Sequence, residues 1–330
     1  EKIIYFYTAN TLYAKIANEK NIPIKYLKTK VFEKLLNNEV TSFLARECDH
    51  LIVDEFQDLL KEEDIEILDL FFEKGLKNIS YYLFGDFYYQ NIQNFEKEKY
   101  TIDNFNEKYQ SSIFELNENC RNFPDVLDFS ANLCGFNPYD KYLRNDKNTR
   151  PKIETYKNNF EQLQKLDKVL ENLLNEKYHS SEIVILSMNS YEHSCLKYIN
   201  FISKDYSEWQ ISLDNNENKK LQNEKYLSEK KIYDEYFSSL GEKENNFEFK
   251  KLKNCKSMNI EKANKNNENY IYWTTIRRFK GLERNVIIIV DLNNLETDEN
   301  KFILHTGLTR STDKVIVLMN DNLNNNFNKK

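Results

Sequence analysis

The sequence predicts an α/β protein built on two parallel sheets. Short apolar runs rich in β-branched and aromatic residues recur along the chain, from KIIYFY at residues 2–7 to VIVL at 315–318. Between them lie segments whose apolar residues return every three or four positions, the helical period. Strands that alternate with helices in this way form parallel sheets covered on both faces. At 330 residues the chain is long enough for two ordinary domains, assigned to residues 1–125 and 126–330.

The elements follow in order. Residues 2–7 read as a buried strand, Thr8 to Glu19 as the next helix, and Val31 to Leu36 as a second helical pattern. Leu51–Val53 reads as a strand, Ile65 to Phe72 as a helix, Ile79–Phe84 as a strand, and Ile113–Leu116 as another. After Arg121 a second set begins. Phe160, Leu163, Leu166, Leu170, Leu173 and Leu174 line one face of a helix. Ile183–Leu186, Tyr270–Trp273, Val286–Val290 and Val315–Leu318 read as further parallel strands. Residues 205–268, rich in Asn, Lys and Glu with weak periodicity, read as an insertion or partly mobile subdomain on the second sheet.

Composition narrows the classes. The chain is 40% hydrophobic and 14% aromatic, which supplies real cores and argues against global disorder. A net charge of −6 argues against a histone-like basic surface but permits a local basic groove. Five scattered cysteines (48, 120, 134, 195 and 255) without a C-x-x-C pair fit a reduced, cytoplasmic compartment better than a zinc site. No apolar run reaches membrane-spanning length and no signal-peptide pattern is present, so a membrane partner is not expected.

Five stretches carry chemistry. In LIVDEFQDL (51–59) a strand runs into carboxylates; Asp54 at the strand end suits Mg²⁺, and the adjacent Glu55 could polarise a water against a γ-phosphate. The next strand ends in GDFYYQ (85–90), where Gly85 would let backbone approach a ligand and Asp86 and Gln90 would share the edge of Asp54. NENCRN (117–122) places Arg121 after a strand, with a planar fork suited to phosphate. TTIRRFKGLE (274–283) and GLTRS (307–311) flank core strands. Taken singly, each is also compatible with a polar loop or turn.

Together, in this order, they resemble the UvrD/Rep-like branch of superfamily 1 DNA helicases. DEFQD is similar to motif II, GDFYYQ to III, NENCRN to IV, TTIRRFKGLE to V and GLTRS to VI; IIYFYTANTLYA resembles motif Ia less closely. The resemblance spans nearly the whole chain outside 205–268. It implies two RecA-like domains of the P-loop NTPase type, the first truncated at its N-terminus, with ATP in the cleft between the sheets. The implied activity is ATP-dependent, 3′→5′ movement on single-stranded DNA. Asp54 would hold Mg²⁺, Glu55 would be the general base, Gln90 would sense the γ-phosphate, and Arg121 and Arg310 would be arginine fingers. Gly281 and Glu283 would contact the nucleotide, Glu283 at the ribose. Thr8, Asn10, Phe95, Thr275 and Arg277 would touch DNA.

The sequence departs from the pattern in places. Gln93, Arg277 and Arg284 stand where an aromatic, a His and an aromatic are common, which bears on DNA grip; Phe95 or Tyr88-Tyr89 could stack instead. The phosphate loop G-x-x-x-x-G-K-[ST] is not in residues 1–74, because the first glycine is Gly75. The expectation is that this loop lies upstream of Glu1. The alternative is a catalytically inactive helicase-like module that binds DNA or protein, for instance beside a nuclease in DNA repair or phage defence.

Overall fold

The computed structural model describes residues 50–72, 75–87, 101–137, 139–144, 150–203, 227–228, 230–240, 247–258 and 269–323. The chain divides into two compact units, residues 1–116 and 117–330. The strand and helices expected before residue 50 lie outside the described residues.

In the first unit, β1 (His50–Val53) and β2 (Ser80–Leu83) pair in parallel, with Val53 opposite Leu83. Alternation along the strands sends Leu51, Val53, Tyr81 and Leu83 onto one core. That core is built from Phe56, Ile65, Leu68, Phe72, Leu76, Phe105 and Tyr109, on α1 (Glu62–Phe71), α2 (Ile102–Tyr109) and the turns beside them. The helix α2 starts where it does because Thr101 and Asn104 cap each other. Thr101 Oγ1 accepts from the Asn104 N–H at 3.3 Å, and the Thr101 N–H donates to Asn104 Oδ1 at 2.8 Å.

One expected strand is absent. Ile113–Leu116 has strand composition but no ladder partner among the described residues, and Phe114 and Leu116 are almost fully exposed. Apolar content cannot by itself supply the pairing that a strand's N–H and C=O groups need.

The second unit holds a six-stranded sheet. Its strands are β5 (Lys152–Tyr156), β6 (Ile183–Ser187), β7 (Cys255–Ser257), β8 (Ile271–Thr275), β9 (Arg284–Leu292) and β10 (Ser311–Asn320). They lie in the order β5-β10-β9-β6-β8-β7, every neighbour parallel. A separate short parallel pair, β3 (Glu118–Asn119) with β4 (Lys141–Tyr142), lies outside this sheet.

Both faces of the sheet are buried, as the apolar runs require. Ile185, Val286, Ile288, Val290, Ile316 and Leu318 pack with Leu163, Leu166, Leu170 and Leu173 of α4 (Asn159–Asn175). Ile289, on the opposite face, meets α8 (Asp298–Leu308), where a Cβ on Gly307 would come within 2.9 Å of it. The remaining helices are α3 (Pro124–Cys134), α5 (Ile199–Ser203), α6 (230–238) and α7 (Ile276–Phe279). Each fully buried aliphatic side chain here contributes about 1.5–3 kcal/mol.

Part of the 205–268 stretch belongs to the sheet rather than sitting on it. Residues Cys255–Ser257 form the edge strand β7. The turn before it is fastened by Asp167 of α4, whose carboxylate accepts from the N–H groups of Lys250, Lys251 and Leu252 at 3.1, 2.7 and 2.8 Å. Among the described residues, no helix is long and apolar enough to cross a membrane.

Candidate functional site

In the first unit the parallel pairing sends both strand ends to one edge. Asp54 and Glu55 leave β1 beside Phe84, Gly85 and Asp86, which leave β2. The crossing is locked by backbone bonds from Phe84 N–H to Val53 O (2.8 Å) and from Phe56 N–H to Phe84 O (2.9 Å). Asp54 is exposed and accepts from the Glu55 N–H at 2.9 Å. Glu55 takes a left-handed backbone, φ 53°, unusual for a residue with a Cβ. Its carboxylate accepts from Gln57 Nε2 at 2.5 Å. Gln57 itself is fully buried and anchors this turn in the core.

Gly85 packs tightly against the neighbouring turn. A Cβ there would run into Gln57 Oε1 and come within 3.2 Å of Gln57 N and 3.3 Å of Phe56 N. The close approach that the structure shows at Gly85 is to the 54–58 turn. Gln90, Thr8, Asn10 and Phe95 lie outside the described residues. Among the described residues no cluster of three His, Cys, Asp or Glu could hold a metal. An exposed lone carboxylate such as Asp54 fits Mg²⁺ only if phosphate oxygens and water complete the octahedron.

In the second unit three loops carry the cationic candidates. Arg121 Nε lies 3.1 Å from Glu283 Oε2, both half exposed. Asn119 Oδ1 accepts from the N–H groups of Arg121 (3.0 Å) and Asn122 (2.8 Å), an Asx turn that presents Arg121. Asn122 is fully buried, and its Nδ2 donates to Thr309 O (3.1 Å) and Ser311 O (2.6 Å). Arg144 Nη1 donates to Arg121 O (2.9 Å) and Thr312 O (2.6 Å), with its guanidinium 3.5 Å over the Phe123 ring. The Arg284 N–H donates to Arg310 O at 3.1 Å, and Ser311 Oγ to Asn285 O at 3.1 Å. The structure thus brings Arg121, Glu283 and the Arg310 turn into one network.

Arg310 is 4% exposed, at the junction of α8 and β10. Near it, His305 Nδ1 lies 3.0 Å from Ser130 Oγ. Burial, with the Arg310 guanidinium adding to it, pushes the His305 imidazole down to about 4. Gly307 is required because a Cβ would stand 2.7 Å from Ile276 Cδ1.

Thr275, at the end of β8, caps α7 by accepting from the Arg278 N–H at 3.3 Å. Arg277 is exposed but forms an ion pair with Glu299 of α8. Gly281 sits in the turn into β9 at φ 83°, a conformation that favours glycine, with open space around it.

Sequence reasoning missed Asn119, Asn122, Arg144 and Asp291. Asp291 is buried at φ 61°, at the end of β9. It accepts from Ser187 Oγ (2.7 Å), Ser194 Oγ (2.5 Å) and the Cys195 N–H (3.2 Å), pinning the loop after β6. The two asparagines flanking Arg121 were a readable Asx-turn signal; Arg144 and Asp291 had none.

The fold defines the class: an α/β protein with a six-stranded parallel sheet flanked by helices. Residues 270–318 match the UvrD-like helicase C-terminal domain family. That segment spans β8 to β10 and contains Thr275, Arg277, Gly281, Glu283 and Arg310. Among solved structures, the C-terminal domain of a possible DNA helicase from Lactobacillus plantarum is similar, with 11% identity and a TM-score of 0.34; the match covers 61% of this chain and 86% of that one. No curated protein matches in sequence.

Proposed function

We propose that this chain is part of an ATP-dependent DNA helicase or translocase of the UvrD-like type, acting 3′→5′ on single-stranded DNA. The observation that supports this most directly is that Glu283, inside the helicase-like segment, pairs directly with Arg121, while the Arg310 turn is tied to the same loop through Asn122 and Arg144. An arginine paired with a carboxylate, on a loop tied to a second arginine's backbone, suits a nucleotide's phosphates and ribose.

The reading assigns each unit's candidate residues, as the motifs' resemblance implies, to ATP chemistry on RecA-like domains. Bound at Asp54, Mg²⁺ would neutralise phosphate charge. Glu55 accepts the proton of the attacking water as its oxygen bonds to the γ-phosphorus and the bond from that phosphorus to the β,γ-bridging oxygen breaks, leaving ADP and inorganic phosphate. Gln90 senses the γ-phosphate. Arg121 exchanges Glu283 for phosphate, which frees the Glu283 carboxylate for a ribose hydroxyl. Arg310 stabilises charge on the departing phosphoryl oxygens. Thr275 and Arg277 are assigned to the DNA backbone, for which Arg277 must leave Glu299.

The test is ATP hydrolysis by the full polypeptide with and without single-stranded DNA. Stimulated hydrolysis that Glu55→Gln abolishes is the expected result; hydrolysis that survives the change removes Glu55 as the base. A second reading is an inactive DNA- or protein-binding module of a repair or defence complex. It expects DNA binding indifferent to ATP.

A further inference from the structure

We propose that Asn122, braced by Arg144, is a positioning residue for phosphate recognition, holding Arg121 and Arg310 as one rigid pair. This rests on the reading of those two arginines as γ-phosphate ligands.

The geometry is specific to an amide. The two hydrogens of Asn122 Nδ2 go to Thr309 O and Ser311 O, the carbonyls on either side of Arg310. One side chain therefore grips the Arg310 backbone at both ends. At its other end Oδ1 accepts from Asn119 Nδ2 at 3.2 Å, and the Asn122 N–H and the Arg121 N–H share Asn119 Oδ1. Arg121 is thus fixed between two asparagines, one of which fixes Arg310. Arg144 repeats the bridge from the outside, through Arg121 O and Thr312 O. The partners are 187 and 189 residues apart in sequence, so local folding does not create this contact.

The consequence is preorganisation. Hydrogen-bond donors aimed at developing charge act at full strength only when their positions are fixed before reaction. Misplacement by about an ångström can cost about a hundredfold. Asn122→Asp keeps the size but turns two donors into acceptors facing two carbonyl oxygens, which opens the grip. Arg144→Ala removes the outer brace at a half-buried position, together with its stacking on Phe123.

The experiment measures the affinities of a non-hydrolysable ATP analogue and of ADP for the full polypeptide, with thermal unfolding alongside. Both arginines are assigned to the γ-phosphate, so their alignment enters the ATP/ADP ratio. A purely structural role would lower the unfolding midpoint and leave the ratio unchanged. We expect Asn122→Asp to lower the ratio about tenfold, a loss of about 1.4 kcal/mol in γ-phosphate recognition, matching Arg121→Ala. Arg144→Ala should lower it severalfold. A ratio that stays at the wild-type value in folded Asn122→Asp and Arg144→Ala, while Arg121→Ala loses it, overturns the inference and leaves the functional reading standing. A wild-type ratio of one, unmoved by Arg121→Ala or Arg310→Ala, overturns that reading and the inference with it. Should Asn122→Asp fail to fold, the Arg144→Ala ratio decides alone.

Discussion

The two sets of candidate residues are held in opposite ways. Asp54 and Glu55 sit on a tight turn in which the Glu55 N–H donates to Asp54 and Gln57 Nε2 donates to Glu55. Arg121 and Arg310 sit on turns clamped by bonds between segments far apart in sequence, through Asn122, Arg144 and Arg284. The chemistry explains the contrast. A metal-binding or proton-accepting carboxylate must keep lone pairs free for groups that arrive with the substrate. An arginine that stabilises charge must already be in place.

The sharpest break of this comparison is on the carboxylate side. Glu55→Gln removes the proton acceptor but keeps the bond-forming shape of the turn. DNA-stimulated hydrolysis should fall by about a hundredfold or more, while the unfolding midpoint barely moves.

On the arginine side, acid should reveal the cost of a buried imidazole beside Arg310. Folded His305 titrates near 4 and the unfolded side chain near 6.5, so below about 6.5 the unfolded state takes up a proton the folded state refuses. Stability is therefore lost as pH falls from about 6.5 to about 4, by about 3 kcal/mol, and levels off below. Unfolding in denaturant across that range should show a flatter slope for His305→Gln than for wild type; equal slopes would place the acid sensitivity elsewhere.

A smaller test compares the two glycines. Gly307→Ala drives a Cβ against Ile276 and Ile289 and should cost about 1–3 kcal/mol. Gly85→Ala meets the movable end of Gln57 first, so its thermal unfolding should shift less, while its effect on hydrolysis should be larger because Gln57 holds Glu55. The reverse pattern would mean that the carboxylate turn is the rigid one. The smallest effect is a gain. Gln162, fully buried on α4, has no hydrogen-bond partner for either amide atom among the described residues. Gln162→Leu should raise stability by about 1 kcal/mol in chemical unfolding.

The central strands of the second sheet were legible because burial on both faces writes itself as IVIL, VIIIV and VIVL. The strand KIETY at 152–156 was not, because just two of its five side chains are apolar. Ile113–Leu116 was read as a strand because pattern reports composition and is silent on whether a partner is available. At the candidate site, the order of the motifs singled out Arg121, Glu283 and Arg310, and the structure links the three through one bonded network. The function of Asn122 was not, since its partners are nearly two hundred residues away and no local pattern encodes them. At Gly85 the sequence did not signal the close packing against Gln57 that the structure shows.

The most direct test of the account is the affinity of the full polypeptide for single-stranded DNA, measured with and without a non-hydrolysable ATP analogue, in wild type and in Arg310→Ala. The account predicts that the nucleotide changes the wild-type affinity and that Arg310→Ala removes the change. The same DNA affinity in all four conditions would contradict it and leave the binding-module reading.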